Sequence, residues 1–114
     1  MRMDADGVKK KCRSLAGATE GYPFGEDALV FKVGGKMFAL AHGSSLSLKC
    51  DPGLAVALRE EYAAVTPGYH LNKRHWNTVR LDGSVPDSSL EEWIEDSYDL
   101  TVASLTRAQR GALG

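Results

Sequence analysis

Cysteine is scarce: Cys12 and Cys50 are the only two in 114 residues, and they lie far apart in the chain. A small secreted domain stapled by disulfides would carry several pairs. Both residues therefore read as free, buried or half-buried thiols, with a disulfide between them or a reactive nucleophile as the alternatives. Histidine is sparse as well, at three, and no Cys-x-x-Cys, His-x-x-x-His or His-Glu-x-x-His spacing occurs. Zinc sites are built from such paired ligands, so His42, His70, His75 and the two thiols suggest no metal site, and no cofactor is expected. No apolar run approaches the roughly 18 residues that span a bilayer, which argues against a membrane partner. The opening Met1-Arg2-Met3-Asp4-Ala5-Asp6 lacks an apolar segment of signal-peptide type, and a cytoplasmic location is the expectation.

Net charge is also small, −1 at neutral pH, which argues against a uniformly basic nucleic-acid binder. The distribution says more than the sum. From Thr66 to Arg80 there are three bases (Lys73, Arg74, Arg80) and no acid; from Leu81 to Asp99 there are seven acids and no base. Two neighbouring segments of opposite sign therefore hide behind near neutrality, and the local sign sets the field a partner meets.

What is present is an ordinary globular composition, with 43% hydrophobic and 25% charged residues. No repeat, low-complexity tract or linker divides it, so one domain is expected over residues 1–114, with its core at about 6–105. Val8, Cys12 and Leu15 fall at helical spacing behind Asp4 or Asp6 as N-cap, with Lys9, Lys10, Lys11 and Arg13 as a solvated face. A turn-rich connection carries Tyr22-Pro23-Phe24-Gly25 and leaves room for a strand in residues 17 to 24. Alternation in Leu29–Val33 and Lys36–Leu40 around Gly34-Gly35 predicts a β-hairpin with a primed turn. It sets Phe31 opposite Phe38 and Leu29 opposite Leu40 on a core face.

Ser45–Lys49 reads as a third strand. Asp51-Pro52 opens a helix with a side-chain cap and a proline at its first position, and Leu54, Leu58 and Tyr62 line its apolar side. Trp76–Leu81 reads as the last strand. Ser88 with Glu91 fits a capping box for a final helix whose stripe runs through Leu90, Ile94, Tyr98, Thr101 or Val102, and Leu105, with Trp93 at its edge. The tail from Thr106 is expected to fray. The order α-β-β-β-α-β-α predicts an α+β fold, an antiparallel sheet with helices packed on it.

Three groups of residues then carry a likeness. The run Pro23-Phe24-Gly25, Leu29 to Ala39 and Leu48-Lys49-Cys50-Asp51-Pro52 resembles the MmcQ/YjbR-like family. So does Pro67-Gly68-Tyr69-His70-Leu71-Asn72-Lys73-Arg74-His75-Trp76-Asn77-Thr78-Val79, and Ser97-Tyr98 on an acidic helix is similar too. The resemblance covers residues 6 to 105. It implies a topology related to the frataxin-like (CyaY-like) fold, described for some members as a double-wing DNA-binding arrangement. It carries over no catalytic residues.

The stretch Tyr69 to Trp76 is the candidate site. Lys and Arg neutralise phosphates, Asn and Arg pair with base edges, and aromatic or imidazole faces stack on unpaired bases. His70, Asn72, Lys73, Arg74 and His75 on a flexible loop, with Lys36 as a second wing tip, are the expected nucleic-acid-binding residues, and DNA the expected partner. The alternative is a protein-interaction or small-ligand module. On structural readings, Tyr69 and Trp76 pack in the core, Asn72 satisfies loop backbone, and Lys73 and Arg74 pair with the acidic helix at about 0–1 kcal/mol each. Cys50 beside a helix N-terminus, with His70 or His75, is a conceivable nucleophile and base, but no motif fixes their geometry. No catalytic constellation is recognised, and a monomeric, non-enzymatic module is the expectation.

Overall fold

The computed structural model describes residues 4–68 and 71–111. Helix α1 (Ala5–Arg13) begins at Asp4, whose Oδ1 accepts the Gly7 amide at 2.9 Å. One face of α1 is buried through Val8 and Cys12. The opposite face is less solvated than its charges suggest, because Lys11 pairs with Glu95 and Arg13 with Glu20, both at 2.6 Å.

A six-stranded sheet follows in the spatial order β1-β2-β3-β4-β6-β5, every neighbouring pair antiparallel. Its strands are β1 (Thr19–Gly21), β2 (Ala28–Val33), β3 (Lys36–His42), β4 (Ser45–Lys49), β5 (Val65–Pro67) and β6 (Trp76–Arg80). Between β4 and β5 runs α2 (Pro52–Glu61), and after β6 come α3 (Asp87–Ala103) and the short α4 (Arg107–Gly111). The α+β class and the antiparallel sheet are as expected. Two strands and one helix exceed the expected order: β1, for which the sequence left room, β5, and α4 where fraying was expected. Thr106 and Gln109 exchange side-chain to amide bonds that close the first turn of α4.

The hairpin closes as anticipated, with Gly34 and Gly35 at φ of 59° and 82°. Its register differs. Phe31 lies opposite Ala39 and Leu29 opposite Ala41, with a bulge beyond Phe31. Phe38 is the extra residue on β3, so Phe38 and Ala39 both reach the same buried cluster. The phenylalanine rings still meet, at a centroid distance of 6.3 Å.

Helices α1, α2 and α3 lie on one side of the sheet. There Leu29, Phe31, Val33, Phe38, Leu46 and Leu48 join Val8, Cys12 and Ile94 in the main core. A second cluster under α2 joins Leu58 to Val65, Val79 and Leu90. Along α2 the stripe is shifted from that expected: Ala55 and Leu58 are buried, while Leu54 remains 42% exposed. Asp51 caps α2 as anticipated, accepting the Gly53 and Leu54 amides. The Ser88–Glu91 capping box does not form, because α3 starts earlier, at Asp87 behind Pro86, and Ser88 is already helical.

Along α3 the buried face is Leu90, Ile94, Ser97 and Thr101. Ser97 has no exposed surface. Its hydroxyl donates to the Phe38 carbonyl at 2.5 Å and accepts the Lys49 amide at 2.8 Å. It therefore serves the backbone at the point where the β3–β4 pairing ends, at Ala39 and Leu48.

Candidate nucleic-acid interface

The stretch after β5 is a folded turn in its described part. The Gly68 amide donates to the Trp76 carbonyl at 2.8 Å, and a Cβ on Gly68 would come within 2.7 Å of the Trp76 Cβ. Only glycine allows that approach. Asn72 Oδ1 accepts the Arg74 and His75 amides, and its carbonyl accepts the Trp76 amide at 2.9 Å. Asn72 thus takes the backbone-satisfying role that was the alternative to base recognition. Arg59 clamps the turn from α2: its guanidinium donates to the Lys73 and Trp76 carbonyls and, at 2.7 Å, to Asn77 Oδ1. Asn77, 3% exposed, returns its amide to the Ala55 carbonyl.

The sequence-derived candidates are dispersed by this arrangement. Tyr69 and His70 lie outside the described residues. The Lys73 ammonium is 3.3 Å from the Gly68 carbonyl, and it is Lys11, not Lys73, that pairs with Glu95. The Arg74 guanidinium is exposed and has no partner among the described residues. Trp76 is half-buried and belongs to neither core cluster. Lys36 is not brought together with them. It lies opposite Val33, a core residue, so it points to the helix side, where its ammonium donates to the Ser104 carbonyl at 3.0 Å beyond α3. A cation at a helix C-terminus is favoured by the helix dipole, so Lys36 acts as a cap there. The hairpin tip is likewise held, with Leu105 packed against Gly34.

The outward face of the sheet was missed by the sequence reading. Alternation from the core positions places Val30 and Lys32 of β2, Leu40 and His42 of β3, Ser45, Ser47 and Lys49 of β4, and Trp76, Thr78 and Arg80 of β6 on it. No carboxylate stands among these strand positions. Lys32 has no partner among the described residues, while Arg80 is paired with Asp82 at 3.0 Å. The Asp82 carboxyl is held down to about 2 by hydrogen bonds from the Ser84 side chain and amide and by Arg80. Six of the fifteen acids lie across the sheet on α3, whereas Glu26 and Asp27 occupy the loop beside the outward face.

A cleft of about 340 Å³ opens on this face, lined by Phe24, Ala28, Leu40, His42, Ser45, Ser47, Leu71 and Thr78. Phe24, 72% exposed, and Leu71 both line it. The hydroxyls of Ser47 and Thr78, two more lining residues, meet at 2.8 Å. Alternation across several strands was the signal that could have found it.

On the helix side, Cys50 lines a groove with Leu54, Asp96, Asp99 and Leu100. Burial, with Asp51 and Asp96 nearby, pushes the Cys50 thiol up, so the helix N-terminus does not activate it as sequence reasoning had allowed. Burial pushes Cys12 up to about 12. Both are free, as expected. Among the described residues no cluster of His, Cys, Asp and Glu could hold a metal ion, and no helix is long and apolar enough to cross a membrane.

Comparison with known proteins agrees with this fold. The YjbR family model matches residues 13–100. The uncharacterized protein YjbR of Escherichia coli (strain K12) is 37% identical over 106 residues, covering 90% of each chain. The uncharacterized protein YbdF of Escherichia coli O157:H7 is 36% identical over 90 residues, covering 75% of this chain and 74% of its own. The crystal structure of Deinococcus radiodurans protein DR2400 superposes with a TM-score of 0.88 at 41% identity, covering 96% of this chain and 86% of that one. This chain belongs to the YjbR family.

Proposed function

We propose that this protein is a nucleic-acid-binding module with no chemical step of its own. Its contact surface is the outward sheet face and the turn at 71–75, with Lys32 and Arg74 as principal phosphate contacts and Lys73 and His75 beside them. The observation that carries the reading is a local charge bias: Lys32 and Lys49 on outward strand positions and Arg74 on the turn, against six acids on α3 on the far side, although Asp82 pairs with Arg80 and Glu20, Glu26 and Asp27 lie near this face. Such a dipolar molecule orients a polyanion toward one face while remaining near neutral overall.

The test is fluorescence anisotropy with labelled oligonucleotides at low salt, comparing Lys32→Glu and Arg74→Glu with Lys10→Glu on α1. Binding that weakens about tenfold in the first two and little in the third supports the reading. Equal loss in all three would reduce it to non-specific attraction.

A second reading, a protein-interaction module, is favoured by the α2–α3 groove. Leu54 and Leu100 are exposed there at 42% and 37%, next to Asp96 and Asp99. A partner suited to it is a cationic amphipathic segment. A pull-down that survives nuclease and is abolished by Leu54→Asp separates this reading from the first.

A further inference from the structure

We infer that the cleft on the outward face lodges one unstacked base, so that the protein selects single strands over duplex. This rests on the nucleic-acid reading and adds to it the form of the ligand. The outward face combines what an unpaired base requires. A mostly apolar cleft of about 340 Å³ falls in the range of small-ligand sites. Phe24 keeps its ring 72% exposed at the edge of that cleft, although Val30 behind the same loop is buried. An exposed aromatic is a stacking platform for single strands, because every base offers a π-face.

The polar groups fit the same occupant. The His42 imidazole has no partner among the described residues and can donate or accept at a base edge. The Ser45 hydroxyl donates to the His42 carbonyl at 2.8 Å, leaving its oxygen as an acceptor toward the cleft. Lys32 along β2 and Arg74 beyond Leu71 supply positive charge for the flanking phosphates. A duplex keeps its bases stacked and paired, and extruding one has a cost. A strand with bases already free enters without it.

The experiment uses the full chain, with three labelled ligands at low salt: a short oligothymidylate, an abasic strand of the same length, and a duplex. Phe24→Ala is compared with Phe24→Tyr; both substitutions are at an exposed ring, so folding is preserved. The expected result is about tenfold tighter binding of oligothymidylate than of the abasic strand or the duplex. Phe24→Ala should remove that preference and Phe24→Tyr retain it. Equal binding of all three ligands, unchanged by Phe24→Ala, would overturn the base site while leaving the charged face intact. Failure of the wild-type protein to bind any of them would overturn both.

Discussion

The Ser97 hydroxyl donates to the Phe38 carbonyl across 2.5 Å, joining the middle of α3 to the bulged residue of β3. The same oxygen accepts the Lys49 amide. One buried side chain thus serves two backbone groups where the ladder between β3 and β4 stops. Ser97→Ala removes both bonds without changing the packing volume much, and it should destabilise the fold by about 1–3 kcal/mol. Urea unfolding reads this as a lower midpoint at constant slope. An unchanged midpoint would show that the two backbone groups find other partners.

Gly68 and Trp76 make a second test of how the turn at 71–75 is held. Gly68→Ala would set a methyl against the Trp76 Cβ and, at 3.1 Å, against its carbonyl oxygen. The expected cost is about 1–3 kcal/mol, read by thermal unfolding. Arg59→Ala, which frees the Lys73 and Trp76 carbonyls, should give faster amide exchange in residues 72–76 than in α1.

Two carboxylates should respond to pH in opposite senses. Burial, with Glu92, Asp99 and Glu95 nearby, raises Asp96 above its ordinary 3.8. The folded state then holds this proton more tightly than the unfolded one, so stability falls as pH rises from 3.8 through the raised value. Asp96→Asn should raise the urea midpoint at neutral pH and give no gain below about 3.8. Asp82 is lowered to about 2 from 3.8. Its contribution is complete above 3.8 and lost as pH falls toward about 2. Asp82→Ala should therefore matter at neutral pH, and its effect should fade as pH falls through about 2.

The thiols should be inert. With its thiol pushed up by burial and by Asp51 and Asp96, Cys50 should alkylate more slowly than a free thiol at pH 7 and faster as pH rises. Cys12, at about 12, should react only on unfolding. Rapid alkylation of Cys50 at neutral pH would return it to consideration as a nucleophile.

Local chemistry made part of this fold legible in the sequence. Gly34-Gly35 announced the hairpin turn, and Asp51-Pro52 announced the start of α2, because in each case the needed backbone geometry belongs to few residue types. The bulge at Phe38 was hidden, since alternation on either side of Gly34-Gly35 fits a regular ladder equally well. Strand β5 holds only Val65, Thr66 and Pro67, too short for a periodic signal, and it exists because β6 returns to pair with it.

The candidate site was less legible for a related reason. Proximity in sequence drew attention to residues 69–76, whereas Phe24, His42, Leu71 and Thr78 meet only after the strands are laid side by side. Lys36 looked like a free cation beside a turn, yet α3 ends next to it and takes its charge. The acidic helix was correctly identified by composition, but which face of the sheet it would cover depends on register.

The salt dependence of single-strand binding probes the phosphate-binding face of the sheet. For the wild-type protein, the logarithm of the association constant should fall linearly with the logarithm of salt concentration. In Lys32→Ala with Arg74→Ala the slope should be shallower by about 1.4, two contacts at roughly 0.7 each. A slope identical in both proteins would contradict the assignment of the outward sheet face as the phosphate-binding surface.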